Sequence, residues 1–481
     1  MMAIHRSLRR VFLLSAVLVA AALPAIAQDV NAPAPQNLSL ADAIQIALKN
    51  NLGTRLADAR VDQAESTRER AQAPLLPEVS GHIYANDQTV NLRALGLNFS
   101  FPGFTFPTVV GPFTNYDFRF YASQMLVDRQ ASHALKATED QKQSAALDFE
   151  DSRSQVVRQT AALFLAAQSA AAEVESAESQ VETSQALEKL ARDQHDQGLA
   201  TGVDVLRAQV QLERDQQSLL VNRNEYEIAL ISLARYIGIR PGTPITLAEP
   251  LAFHRIEIPD PDQSLDAALR ARADYRSLDA QRQAIAEQEK ASHARYYPTL
   301  QVSGNYGALG RELYQLPGTG VIQATLSVTL YDRDRNGERK QLDSELRQLD
   351  DQIADLSRGI EQELRTAVLD LQSAADQVRV TEQGLQLAQT ELSLATDRFR
   401  NGLTDNIEVI TAQSSLAEAQ EEHIEALARH ADARMALARA MGANETNYSN
   451  YLGLPAPATS RPAPSGSPAQ TNPPASSGSQ P

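Results

Sequence analysis

Between Arg129 and Gln197 the chain has neither proline nor glycine for 69 residues. Nothing there interrupts an α-helix, and at 1.5 Å per residue such a helix spans ~100 Å, several times the width of a small domain. A second proline-free stretch, Arg335 to Asn401, runs 67 residues. Along it Leu342, Leu346, Leu349, Ile353, Leu356, Ile360, Leu364, Ala367 and Leu371 step by four and three, the spacing of coiled-coil packing. Helices of this length make rods.

The chain is also duplicated. SLADAIQIALKNN from Ser39 returns as SLDAALRARADY from Ser264; each leads into a helical stretch closed by a proline, Pro77 or Pro298, and then into an extended run. GLATGVDVLRAQ from Gly198 aligns with GLTDNIEVITAQ from Gly402 at an offset of 204, and each is followed by a helix ending at RYIG or RAMG. The order helix, strand, loop, strand, long helix, helix is thus read twice. The first structural repeat covers 39–243 and the second 264–443, with a Pro-rich connector, 244–263, between them. An N-terminal extension, 28–38, precedes them, and a Pro/Ser-rich tail, 444–481, follows; from Leu454 that tail holds 8 of the 23 prolines and is expected to be disordered.

The expected strands are 79–86 and 117–127 in the first repeat and 300–307 and 321–331 in the second. In the last, Ile322, Ala324, Leu326, Val328 and Leu330 form one face and Gln323, Thr325, Ser327 and Thr329 the other. Phe118, Phe120 and Ala122 alternate less cleanly with Arg119, Tyr121 and Ser123. Lengths of about 8 to 11 residues suit tilted transmembrane strands. A soluble β-sandwich would show the same period, and strand pattern alone leaves both open.

Residues 1–27 read as a secretory signal peptide: a basic start with His5, Arg6, Arg9 and Arg10, an apolar run from Val11 to Leu23, and Ala25-Ile26-Ala27 as the cleavage site. That run falls short of the ~20 residues a spanning helix needs. Its removal leaves 41 basic against 60 acidic residues, a charge of −19 that disfavours nucleic acid as a partner. With no cysteine, disulfides, thiolate metal sites, cysteine nucleophiles and a lipidated N-terminal cysteine are excluded. No HExxH, no Walker A loop, no GxSxG in a triad context and no dinucleotide-binding glycines occur, so neither an enzyme nor a cofactor is expected. DRDRNGERKQLD, 332–343, imitates a calcium loop, but it starts at a strand end, lacks glutamate at its twelfth position and carries Arg333 and Arg335 among the would-be ligands. Capping of the long helix by Asp334 or Asn336 is the better reading.

Length matching assembles these parts. The stretches 39–75 and 202–238, each near 37 residues, together equal one long helix. Each repeat therefore builds a rod two helices thick, with strands at one end and a glycine turn at the other. Four strands cannot close on themselves, and unpaired backbone groups in lipid cost several kcal/mol each, so several copies must share one wall.

The duplicated order, the paired turns and the junction LYDRDRNG at Leu330–Gly337 resemble the TolC-type outer-membrane efflux, or channel-tunnel, family over about 39–443. The resemblance implies a mainly α fold with a small membrane β-barrel contribution. Its two helix-strand-strand-helix repeats and long coiled-coil helices would form a trimeric α-barrel under a shared 12-stranded β-barrel. It further implies a homotrimer in outer-membrane lipid that reaches into the periplasm. There it would meet a periplasmic adaptor (membrane fusion) protein and an inner-membrane transporter, and conduct substrates passively outward in efflux or type I secretion. The alternative is a periplasmic adaptor or a coiled-coil scaffold without a pore. An adaptor would show one hairpin and not two full repeats, and a scaffold leaves Ile322 to Leu330 unexplained.

On the same resemblance the Gly198 and Gly402 turns lie at the periplasmic entrance. Glu408 falls on the first of two acidic constriction positions and Thr411, a departure, on the second; three Glu408 carboxylates would form a cation-attracting ring. Asp204 and Asp405 sit where acid also simply stabilises a helix N-terminus. Asp204 matches one partner of the family's entrance links, whereas Phe399 and Thr404 stand where an aromatic hydroxyl and a base can occur, so a lock here would be differently built. The lipid-facing residues would be Ile322, Ala324, Leu326, Val328, Leu330, Phe118 and Phe120. The segment Asn91–Phe120 holds 7 of the 12 phenylalanines and either girdles the barrel or packs on itself as a small plug. Opening by untwisting at the glycine turns is expected, because rod ends are the least packed part.

Overall fold

The computed structural model describes residues 37–96, 100–101, 103–105, 107–443 and 448–452. The expected signal peptide and nearly all of the tail lie outside them. In the first repeat β1 (Asn37–Leu38) leads to α1 (Leu40–Asn50), α2 (Leu52–Gln72), β2 (Glu78–Asn91), the short β3 (Ser100–Phe101) and β4 (Phe104–Thr105), β5 (Val109–Val127), α3 (Arg129–Asp196) and α4 (Gly202–Ile237). The connector contributes β6 (Thr246–Leu247), which pairs in parallel with β1. The second repeat holds α5 (Pro261–Ala271), α6 (Ala273–Ala294), β7 (Thr299–Gly310), β8 (Gly318–Ser327), α7 (Asp334–Arg400) and α8 (Asn406–Ala440).

The leading helix of each repeat, expected to be continuous, is broken. At Asn51 the backbone turns extended, and one side chain serves both sides of the break: Oδ1 accepts from Gly53 N at 2.7 Å, while Nδ2 donates to Tyr236 O at 3.0 Å. The start of α2 thereby meets the end of α4 over the middle of α3. Gly238 makes that approach possible: its φ is +82°, and a Cβ there would stand 2.6 Å from Asn50 Cβ. In the second repeat the break falls at Arg272, a good helix former by itself, also in extended backbone. Its buried guanidinium bonds Asp274 at 2.6 and 3.0 Å and pairs with Glu363, and these partners hold the conformation. Burial alone would raise the Asp274 carboxyl, but the hydrogen bonds and charge of Arg272, with Arg439 nearby, hold it below the usual carboxylate range.

Each long helix is covered in two halves. Lys142–Glu65 (2.6 Å) ties the first half of α3 to α2, and Arg223–Glu178 (2.6 Å) ties its second half to α4. On α7, Arg282 bonds Asp350 from α6 at 2.5 Å, and Arg429 of α8 bonds Gln377 at 3.1 Å. The repeats meet along α3, where Ser144 bonds Ser277 of α6 at 3.0 Å and Asp151 bonds Arg439 of α8 at 3.0 Å. The largest apolar core gathers at this waist around Phe164, Ile44, Leu233 and Ile237, all fully buried.

A four-stranded antiparallel sheet, in the order β2-β5-β7-β8, crowns the helices. β8 stops at Ser327, three residues before the alternation ends, because its partner strand begins at the facing Thr299 and the preceding residue, Pro298, has no N–H to extend the ladder. Val328 and Leu330 therefore lie past the strand, largely exposed.

His430, 2 % exposed on α8, packs its ring on Phe253 at 4.5 Å. Burial, with the positive Arg434 and His254 nearby, pushes its pKa down to about 4. As pH falls below ~6.5 the unfolded chain binds a proton that the folded chain refuses until about 4, so folding stability drops through that window by on the order of 3 kcal/mol. In His430→Leu the melting temperature should lose that part of its acid dependence. Parallel melting curves of the two proteins from pH 7 to 4 would refute the assignment.

Candidate functional site

At the end of the rods opposite the sheet, the two matched turns are built alike. α3 and α7 each end in a left-handed glycine, Gly198 at φ +77° and Gly402 at φ +67°. Behind them Leu199 N donates to Gln194 O and Leu403 N to Arg398 O, both at 2.9 Å, so the last carbonyls of each helix are satisfied. The next helices start on local caps. Thr201 and Asp204 form a reciprocal capping box on α4, Thr201 N donating to Asp204 Oδ2 at 2.9 Å and Asp204 N to Thr201 Oγ1 at 3.3 Å. Asp405 caps α8, its Oδ1 accepting from Ile407 N at 3.2 Å.

These caps distinguish the four candidate entrance residues. Asp204 is buried, its carboxylate engaged in the cap. Asp405 is likewise turned to its own helix. Thr411 donates its hydroxyl to Ile407 O at 2.8 Å, one turn back. Glu408 alone keeps a carboxylate beyond the backbone: it accepts from Thr404 Oγ1 at 2.6 Å and pairs with Arg398 Nη1 at 3.2 Å, with 38 % of its side chain exposed. Arg398, on the last turn of α7, escaped the sequence reading.

Two further residues, also missed, join the turns. Asn406, fully buried, donates Nδ2 to Asp204 O at 2.6 Å. Gln194, also buried, donates Nε2 to Phe399 O at 2.9 Å and to Arg400 O at 3.3 Å. Phe399, in place of an aromatic hydroxyl, fills a small apolar cluster with Leu187, Ala191 and Val409. A signal for these residues existed in the duplication itself. At the offset of 204, Gln194 stands opposite Arg398 and Asn406 opposite Gly202, so both fall at positions where the two repeats differ.

At the other end, register sets one face of the sheet. Ile83 lies beside Phe118, Phe120 beside Tyr306, and Gly304, Val302 and Leu300 beside Ile322, Ala324 and Leu326. Phe120, Ile322 and Leu326 are each more than two-thirds exposed, and Phe118 is half-buried. The opposite face is polar. There Asp117, fully buried, accepts from Arg119 Nε at 2.7 Å, and the arginine crosses Gly307, where a Cβ would stand 2.0 Å from Phe118 O. Both edges, β2 and β8, are unpaired among the described residues. In the Phe-rich segment β3 pairs with β4, but residues 97–99, 102 and 106 lie outside the described ones, so the choice between girdle and plug is not decided there.

The calcium-like stretch is a junction. Arg295 reaches among Asp332 (3.3 Å), Asp334 (3.6 Å) and Glu338 (3.4 Å). The helix-capping oxygen belongs to Asp332, whose Oδ1 accepts from Asp334 N at 3.0 Å, and not to Asp334 or Asn336 as expected.

Comparison with known proteins matches residues 43–239 and 264–443 to the family described as outer membrane efflux protein. The chain is 23% identical over 418 residues to the pyoverdine export outer membrane protein OpmQ of Pseudomonas aeruginosa, covering 83% of this chain and 84% of that protein. It is 25% identical over 433 residues to protein CyaE of Bordetella pertussis, covering 88% of each. Among solved structures, the Campylobacter jejuni CmeC outer membrane channel superposes with a TM-score of 0.73 at 14% identity, over 86% of this chain and 90% of that one. The outer membrane protein VceC of Vibrio cholerae gives 0.72 at 20% identity, over 84% and 96%.

Proposed function

Because the chain belongs to the outer membrane efflux protein family, and is thus an outer-membrane channel component of efflux or secretion machinery, we propose that three copies close its sheet into a 12-stranded barrel continued by a helical tunnel. The observation that carries this is the four-stranded sheet, apolar across one face and open at both edges. Lipid would cover Phe118, Phe120, Ile322, Ala324 and Leu326, and the polar face with Asp117 and Arg119 would line the lumen; Val328 and Leu330 would continue the apolar surface below the strand.

The helices supply a second argument. Val380, Leu387 and Leu394 recur every seven residues on α7, each more than half exposed, and Leu206, Val210, Leu220 and Ile228 are as exposed on α4. Apolar stripes of this size call for a partner. They belong to different repeats, so copies packing stripe against stripe meet head to tail and close a ring. Heat-modifiable migration of detergent-extracted protein, together with single-channel conductance in planar bilayers, tests the reading. A monomer that is soluble without detergent and silent in bilayers would refute it.

We infer that the tunnel narrows at the Gly198 and Gly402 turns, where a periplasmic adaptor and an inner-membrane transporter would deliver substrate, and that Glu408 rings the narrowing. Each Glu408 is compensated by Arg398, so the wild-type ring is only weakly cation-selective. Arg398→Gln should raise the cation-to-anion permeability ratio by about twofold or more, and Glu408→Gln should shift it toward anions. Reversal potentials in a salt gradient measure both. Unchanged selectivity in the two variants would place the ring elsewhere. Domain boundaries follow the repeats: 1–27 leader, 39–243 and 264–443 the two halves, 244–263 the strap between them.

A further inference from the structure

Between the apolar waist and the apolar tip, α3 and α4 of the first repeat part from α8 of the second around a cavity of about 770 Å³. Its lining carries five carboxylates, Glu173, Asp215, Glu225, Glu418 and Glu421, and no lysine, arginine or histidine. Asp215 is accommodated within the fold, accepting hydrogen bonds from Ser184 and from Gln211 Nε2 at 2.9 Å. Glu173, Glu225 and Glu421 come from three different helices and have neither an ion-pair nor a hydrogen-bond partner for their carboxylates among the described residues. Burial raises the Glu173 carboxyl above its usual range, and the charges of Glu225 and Glu421 push it the same way.

A second observation is independent of the charges. Gln413 also lines the cavity, is 8 % exposed, and has neither amide atom hydrogen-bonded. Buried amides are ordinarily paired, so an enclosed glutamine with both ends free marks a place where a ligand atom belongs. The volume lies within the range of organic-ligand sites and far exceeds a single ion. Among the described residues no three acidic or histidine side chains converge closely enough to hold a metal.

We propose that this cavity binds a linear organic polyamine, its ammonium groups against Glu173, Glu225 and Glu421 and one of its N–H groups on Gln413 Oε1. A flexible chain of spaced cations matches spaced, unneutralised carboxylates in a way that a compact divalent ion does not. The site lies within one chain and does not depend on trimer formation.

The test is calorimetric titration of spermidine into the detergent-solubilised full chain carrying Glu408→Gln, so that the inferred entrance ring does not contribute. One site per chain is expected. Adding Glu173→Gln and Glu421→Gln should weaken it about tenfold or more, and Gln413→Leu, which leaves the charge unaltered, should weaken it severalfold. Lowering the pH should also weaken binding, because the raised Glu173 carboxyl takes up a proton before an ordinary glutamate does; this arm needs no change inside the cavity and holds even if the double variant folds poorly. No detectable binding, full affinity in both sets of variants, or displacement of spermidine by magnesium at matched charge would each overturn the proposal. If conductance were absent while spermidine still bound, the channel reading would fail and the site would stand.

Discussion

Replacing Gln194 and Asn406 together by alanine should open the channel, with single-channel conductance rising severalfold over wild type. The two amides carry the buried hydrogen bonds that tie the first repeat's turn to the second's, Gln194 to the carbonyls of Phe399 and Arg400 and Asn406 to that of Asp204. Each of these three hydrogen bonds contributes about 1 kcal/mol net, and Phe399 O keeps a second donor in Gly402 N at 2.9 Å, so no orphaned-carbonyl penalty is added there. Loss of both ties removes on the order of 3 kcal/mol from the joined arrangement of each chain, enough to shift a two-state equilibrium by roughly a hundredfold. Thr396→Ala serves as the control, because that hydroxyl bonds only Leu392 O in its own helix. Equal conductance in the double variant and wild type would show that these amides do not hold the entrance.

Phe164→Ala should destabilise the folded chain by about 3–5 kcal/mol. Phe164 sits fully buried on α3 in the waist core, against α1 and α4, where Ile44, Leu233 and Ile237 are equally enclosed. These neighbours are themselves closely enclosed, so little can move in to fill the space the ring leaves. Thermal or denaturant unfolding of solubilised protein reads the loss. Leu199→Ala, at an exposed turn, should change stability by no more than about 0.5 kcal/mol. A loss of less than about 1 kcal/mol at Phe164 would mean that the waist is loosely packed.

Much of the architecture was legible because its causes are local. Uninterrupted helix formers set the length of α3, glycine with positive φ set the turns at Gly198 and Gly402, and strict alternation marked Ile322 to Leu326 as a one-sided strand. The breaks at Asn51 and Arg272 were not legible: neither residue opposes helix strongly, and each is held extended by partners from elsewhere, Tyr236 for one and Glu363 for the other. The end of β8 is not legible for the same reason, since alternation continues to Leu330 while the ladder stops where its partner reaches Pro298.

The candidate entrance divides the same way. Glu408 could be picked out by aligning the repeats, and the capping roles of Asp204 and Asp405 follow from their place in a first helical turn. Arg398, which pairs with Glu408, could not be picked out; Gln194 and Asn406 stand at positions where the aligned repeats differ, but which carbonyls they reach was not legible. Periodicity and short-range sterics act over a few residues, so the sequence by itself determined the elements, their duplication and their lengths. Which polar side chains are paired, enclosed or left unneutralised was decided only by the tertiary structure, because a buried hydrogen bond or charge takes its energy from groups some 200 residues away along the chain, brought within 3 Å only when two rods lie side by side.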